Sequence, residues 1–263
     1  LFLLLIHGFP HSSRFWSPLT EALASRPELA GWRYEAPDLR GFGDAPPTPP
    51  LTLEQHADDC VARLDQLGVR RAAVCGLSMG GYVALALWRR HPERVRALVL
   101  ADTRASADDE SQRARRLELA ALARREGAAA VAETQLAGAV GRTTRERDPA
   151  RVDALRALMT GASVDGIVGA LDAMRARPDA TPLLPGITVP TLVVVGVEDV
   201  LTPPKLSRAM AAAIPGARLA ELPEAGHCSA WERPEAFADA LAGFLAALPD
   251  ETPPDAASSS PHA

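Results

Sequence analysis

Ser78, Asp199 and His227 follow one another along the chain, each just beyond a short apolar run. Those residue types in that order suit nucleophilic attack on a carbonyl. A serine hydroxyl is a weak nucleophile at its free pKa; it needs a base to take its proton, and an imidazole base needs a carboxylate to fix its tautomer. Ser78 sits in Gly76-Leu77-Ser78-Met79-Gly80, a G-x-S-x-G pattern that chance alone often produces. Its context carries the information. An apolar run precedes it and a helical pattern follows, which is the strand–turn–helix of a nucleophile elbow. The alternative is a glycine-rich strand-to-helix turn with an idle serine. Asp199 comes after the run 191–195 and a short Gly196-Val197-Glu198 turn, and His227 lies in Glu224-Ala225-Gly226-His227 beyond the last run. Asp102 and Asp38 end two other runs and compete for the acid role, because parallel sheets build their sites at strand C-terminal ends. Asp199 is preferred, since Ser…Asp…His is the order that accompanies such an elbow.

Acyl transfer passes through an oxyanion that needs preorganised N–H donors. The loop His7-Gly8-Phe9-Pro10 closes the first apolar run, so the backbone N–H groups of Phe9 and Met79 are the expected pair. His7 is assigned to holding that loop. Asp38 and Asp44, in Asp38-Leu39-Arg40-Gly41-Phe42-Gly43-Asp44, are assigned to pinning a second loop by ion pairs and turn hydrogen bonds. His11, His56, His91 and His262 are expected to be exposed. No histidine or cysteine has metal-ligand spacing, so neither a metal nor a cofactor is expected. Cys60, Cys75 and Cys228 cannot all pair within the chain, and Cys75, in an apolar run, reads as a core residue.

The elements that must position these groups alternate. Strands are predicted over 2–6, 33–36, 72–75, 97–100, 191–195 and, more weakly, 218–222, with helices over 16–24, 53–67, 80–90, 204–214 and 234–248. That pattern gives an α/β protein with a mostly parallel sheet covered on both faces. The alternation breaks over 104–182, where alanine- and leucine-rich helical segments form an inserted cap between the core segments 1–103 and 183–248. The Pro/Ser/Ala-rich end 249–263 reads as a disordered tail. A net charge of −5 over 263 residues weighs against a nucleic-acid partner. Arg113, Arg115, Arg116, Arg124 and Arg125, interspersed with Glu118 and Glu126, read as the solvated face of a helix. The opening LFLLLI is too short for a membrane span or signal core, so no membrane partner and a cytoplasmic location are expected.

The chain resembles the bacterial α/β-hydrolases of the carboxylesterase and 3-oxoadipate enol-lactonase group. The resemblance rests on HGFP (7–10), PDLRGFGD (37–44), GLSMGGYVA (76–84), LVLADTRA (98–105), RPDATPLLP (177–185), GVEDVLTPP (196–204) and GH followed by WERPE (226–235). It implies the α/β-hydrolase fold and a cofactor-free carboxylesterase acting on small esters, with Ser78 as nucleophile, His227 as base and Asp199 as acid. A lactonase, a cofactor-free perhydrolase or haloperoxidase, and a ligand-binding receptor without turnover remain alternatives on the same fold. Members of the group usually carry a β-hairpin before the strand that here begins at Leu1, which implies a missing N-terminal piece. In the group, the residue after His-Gly stands beside the oxyanion donors. Phe9 and Pro10 would make that wall bulky and stiff, favouring short acyl chains and refusing esters of tertiary alcohols.

Overall fold

The computed structural model describes residues 1–249. Among these residues six strands form one parallel sheet: β1 (Phe2–Ile6), β2 (Arg33–Glu35), β3 (Ala72–Leu77), β4 (Val95–Ala101), β5 (Thr191–Gly196) and β6 (Arg218–Leu222). Their spatial order is β2-β1-β3-β4-β5-β6. The chain therefore moves outward from β1 in both directions, and the order reverses between β1 and β3, where open parallel sheets form a ligand crevice. The register aligns Ile6 with Gly76, Leu77 with Ala101, Ala101 with Val194, and Gly196 with Leu222. The residues just past these positions share one edge.

Among the described residues, eight helices lie between the strands, α1 (Ser17–Ala24), α2 (Leu53–Gln66), α3 (Met79–Arg90), α4 (Glu110–Ala139), α5 (Arg142–Arg147), α6 (Pro149–Met159), α7 (Val164–Ala176) and α8 (Pro204–Ala213), and two follow β6, α9 (Ser229–Glu232) and α10 (Pro234–Leu245). Side chains alternate across the sheet. Leu4, Ile6, Val74, Leu98 and Leu100 pack toward α2, α3 and α8. Leu3, Leu5, Cys75, Leu77, Val99 and Ala101 pack toward α1 and α10. With both faces covered, near-continuous apolar runs are what these strands require. β3 and β4 exceed the predicted runs because Leu77 and Val95–Ala101 are buried and paired as well.

The helices α4 to α7 occupy the stretch between β4 and β5. Asp109 caps α4 in a reciprocal capping box with Gln112, and the helix breaks at Gly127, whose φ of 81° an L side chain would resist. Two carboxylates, the buried Glu232 and the half-buried Glu198, tie the stretch to the sheet edge. Glu232 accepts from Gly141 N (2.8 Å), Thr144 Oγ1 (2.7 Å) and Gly226 N (2.9 Å). Glu198 accepts from the backbone and hydroxyl of Thr143.

Several expectations change. Two of the histidines expected to be exposed are buried. His56 lies in the same helical stripe as Leu53, Ala57 and Cys60, so it faces the core. His11 stacks on Phe15 with ring centroids 4.7 Å apart. His91 is half-buried against Asp58, and His262 lies outside the described residues. The tail from 250 also lies outside them. All three cysteines are buried and free. Among the described residues, no single helix is long and apolar enough to cross a membrane.

Candidate active site

β3 ends at Leu77 and α3 begins at Met79, so one residue turns the chain from strand to helix. That residue is Ser78, held at φ 53° and ψ −112°. A non-glycine residue with positive φ is strained and persists only where its surroundings fix it. Two bonds do so: Ser78 N donates to Ala101 O (2.9 Å), and Ser78 O accepts from Thr103 Oγ1 (2.8 Å). The turn also needs its flanking glycines. A Cβ on Gly76 would strike the Gly80 carbonyl, and one on Gly80 would strike the Ile6 carbonyl.

The sheet edge brings the other two groups to this serine. His227 Nε2 lies 2.8 Å from Ser78 Oγ, and His227 Nδ1 lies 2.9 Å from Asp199 Oδ2. Asp199 Oδ1 accepts from Leu201 N (2.8 Å) and Thr202 N (2.9 Å), and Oδ2 accepts from Thr202 Oγ1 (2.6 Å). In the neutral imidazole, an Nδ1 proton directed at Asp199 leaves the Nε2 lone pair facing the serine hydroxyl. Burial works against charge on His227, but the Asp199 carboxylate, with Asp102 and Tyr82 behind it, carries the imidazole pKa up to about 9.

Asp102, the rival acid, sits at φ 45° at the end of β4 and does not reach the imidazole. Its oxygens accept from Gly196 N (2.9 Å) and Ser229 Oγ (2.5 Å), so it ties β5 to α9. Complete burial, with Asp199 nearby, pushes its pKa well above the carboxylate range. Asp38 accepts from Ser13 N (2.6 Å) and Asp44 N (2.9 Å). It pins two loops by hydrogen bonds as expected. The expected ion pairs at Asp38 and Asp44 are absent among the described residues, because backbone N–H groups fill the Asp38 oxygens and Asp44 points to solvent. His7 Nε2 accepts from Leu39 N (3.1 Å) while Nδ1 donates to Gly8 O (2.9 Å). Burial lowers its pKa to about 4, so it is a neutral brace for the loop.

Neither Phe9 N nor Met79 N donates to a protein acceptor among the described residues. Met79 is the first residue of α3, where backbone N–H groups have no partner in the helix.

A cavity of about 240 Å³ opens over this edge, a little below the usual range of ligand pockets (~300–1,000 Å³). Phe9, Ser78 and His227 line one side, and Leu119, Leu171 and Met174 supply apolar wall. Three arginines, Arg104, Arg115 and Arg116, line it as well. Sequence reasoning assigned the last two to a solvated helix face. Arg116 instead turns inward to the buried carboxylate of Asp108, and Arg115, although exposed, borders the cavity. Tyr82 and Thr202 were also missed. For Tyr82 the signal was its position one turn into the helix behind the elbow. Among the described residues, no three His, Cys, Asp or Glu side chains converge as a metal ligand set.

Comparison with known proteins places this geometry among relatives. A family model described as the alpha/beta hydrolase fold matches residues 2–234. The chain is 33% identical over 266 aligned positions to the pimeloyl–acyl-carrier-protein methyl ester esterase of Neisseria meningitidis, covering 94% of this chain and 77% of that protein. A thermophilic esterase from Thermogutta terrifontis superposes with a TM-score of 0.88 at 36% identity, covering 93% of this chain and 89% of the other. The enol-lactonase from Burkholderia xenovorans gives a TM-score of 0.83 at 33% identity, covering 93% and 90%.

Proposed function

This chain belongs to the α/β-hydrolase fold family, and on that footing we propose that it is a carboxylesterase that cleaves small esters through an acyl-enzyme on Ser78. The observation that carries the proposal is the unbroken series Asp199–His227–Ser78, with contacts of 2.9 Å and 2.8 Å, at a strained strand-to-helix turn. In the reaction, neutral His227 takes the Ser78 proton as Oγ attacks the ester carbonyl. The Phe9 and Met79 N–H groups receive the oxyanion, and the imidazolium returns the proton to the departing alcohol. Water then attacks the acyl-enzyme by the same route, freeing the acid.

The raised His227 pKa fits the imidazolium that each step creates, because Asp199 stabilises that cation. Burial raises the Asp199 pKa, but His227 and the Thr202 hydrogen bonds outweigh it and hold the carboxyl below its ordinary value, which suits it as the charged partner. We read 104–182 as a cap whose inner side closes the cavity, and the small volume favours short acyl groups. Likeness to the Burkholderia xenovorans enol-lactonase supports a second substrate form, a cyclic ester opened by the same steps.

The test is kcat/KM for p-nitrophenyl esters of two to eight carbons and a set of lactones, in the unaltered protein and in Ser78→Ala. The proposal expects ester turnover with an acyl burst, and loss of ~10⁶-fold in the variant, whose residual rate comes from binding and the oxyanion donors. Near-native turnover by folded Ser78→Ala would refute it.

A further inference from the structure

The cavity over Ser78 is lined by three arginines and, among the described residues, by no aspartate or glutamate, in a chain whose net charge is −5. Behind it, Arg104 and Arg177 lie 3.2 Å and 2.8 Å from Asp108 Oδ1, and Arg116 reaches the same carboxylate. The Asp108 side chain is fully buried. Three guanidiniums around one carboxylate leave two positive charges unmatched. No second carboxylate lies within ion-pair distance of the three, among the described residues. Arg115 adds a further charge at the cavity and makes no ion pair among the described residues.

A purely structural staple between the loop after β4, α4 and the end of α7 would explain Asp108 with one or two arginines. It does not explain donors left unfilled. Arg104 Nε is buried without an acceptor, and Arg116 Nη1 reaches only the thioether of Met174 (3.3 Å), a weak acceptor that itself lines the cavity. The field is positive at the wall: burial pushes the Tyr82 phenol up, yet Arg177, Arg104 and Arg116 outweigh it and bring its pKa below the ordinary value. Guanidinium forks match carboxylate geometry, and a low-dielectric setting strengthens the pairing.

We propose that the substrate is an ester carrying a free carboxylate, which Arg104, Arg115 and Arg116 hold while Ser78 attacks the ester carbonyl. The proposal rests on the esterase reading of Ser78 and adds the charge class of its substrate. Asp108 and Arg177 are positioning residues: one orients the arginines and the other, 4.0 Å over the Tyr82 ring, fills the space behind them.

Two matched pairs test it. Mono-p-nitrophenyl glutarate is compared with p-nitrophenyl valerate for a charge on the acyl side. 4-Acetoxybenzoate is compared with 4-acetoxybenzamide for a charge on the alcohol side. At least a tenfold higher kcat/KM for the anionic member of one pair is expected, mostly through KM. Arg115→Gln, at an exposed position, and Arg116→Gln should each lower that anionic-to-neutral ratio at least threefold, whereas a merely structural defect lowers both rates together. Less than tenfold preference in both pairs, or a ratio unmoved in both variants, overturns the proposal. If the neutral esters are cleaved in a Ser78-dependent manner without that preference, only the charge assignment fails. If no ester is cleaved, the esterase reading falls with it.

Discussion

Two surfaces meet at the cavity with opposite chemistry. The sheet edge supplies carboxyl groups, Asp199 and Asp102, beneath an imidazole. The helical stretch above supplies guanidiniums, Arg104, Arg115 and Arg116. They also differ in how completely they are satisfied. Each Asp199 oxygen already accepts from protein donors, and both Asp102 oxygens are filled. On the arginine side, Arg104 Nε has no acceptor and Arg116 Nη1 has only a sulfur. A reacting group gains from being fixed before substrate arrives, since no reorganisation is then needed during reaction. A recognition wall gains from bonds that only the ligand completes. On the proposed reading, the difference separates groups that react from groups that select.

The largest effect that could break this contrast lies on the sheet edge. Asp199→Asn should lower kcat about 10⁴-fold, as neutralising a triad carboxylate does elsewhere. Asp102→Asn should lower it less than tenfold, because that carboxyl bonds Gly196 and Ser229 and makes no hydrogen bond to the imidazole. Steady-state rates on one ester decide it, and a reversed ranking would move the acid to β4.

The pH profile comes next. Only neutral imidazole can accept the serine proton, and the Asp199 pairing raises the His227 pKa to about 9. The neutral form therefore accumulates as pH climbs, and kcat/KM should rise through an apparent pKa above the free-imidazole value of about 6.5. A limb below pH 6 would contradict the ion pair.

The joint between the two surfaces gives a smaller effect. Glu232→Gln replaces an acceptor facing Gly141, Thr144 and Gly226 with an amide that must leave a buried donor unpaired. The expected cost is about 1–3 kcal/mol, or a Tm fall of roughly 2–12 °C by calorimetry. An unchanged Tm would mean that the Glu232 bonds contribute nothing to holding the helical stretch. Smallest is the wall between the surfaces. Phe9, packed edge-on to Phe42 at 6.2 Å, borders the cavity. Phe9→Gly should raise the rate on a tert-butyl ester about tenfold, within the ~1–3 kcal/mol that such pocket contacts are worth. Efficient cleavage of that ester by the unaltered protein would show that Phe9 does not crowd the site.

The sheet edge was legible in the sequence and the arginine wall was not, for a physical reason. Burial on both faces forces continuous apolar runs, so β1, β3, β4 and β5 announce themselves, and Ser78, Asp102 and Asp199 take their places from where those runs end. The inward turn of Arg116 depends on Asp108, eight residues earlier across a helix start, and on Arg104 and Arg177 arriving from other segments. Helical spacing within α4 carries no trace of that meeting. His56 shows the reverse: the i, i+3 stripe with Leu53 already placed it in the core, and its polarity concealed the fact.

The most direct measurement is covalent labelling of the nucleophile. The protein is incubated with a p-nitrophenyl alkylphosphonate, whose P–O(aryl) bond breaks as Ser78 Oγ bonds to phosphorus. The released p-nitrophenol is counted and the adduct located by peptide mass spectrometry. The account predicts one equivalent of p-nitrophenol per chain and an adduct on Ser78, with none formed in Ser78→Ala and strongly reduced labelling in Asp199→Asn. An unlabelled protein, or an adduct on another residue that persists in Ser78→Ala, would contradict it.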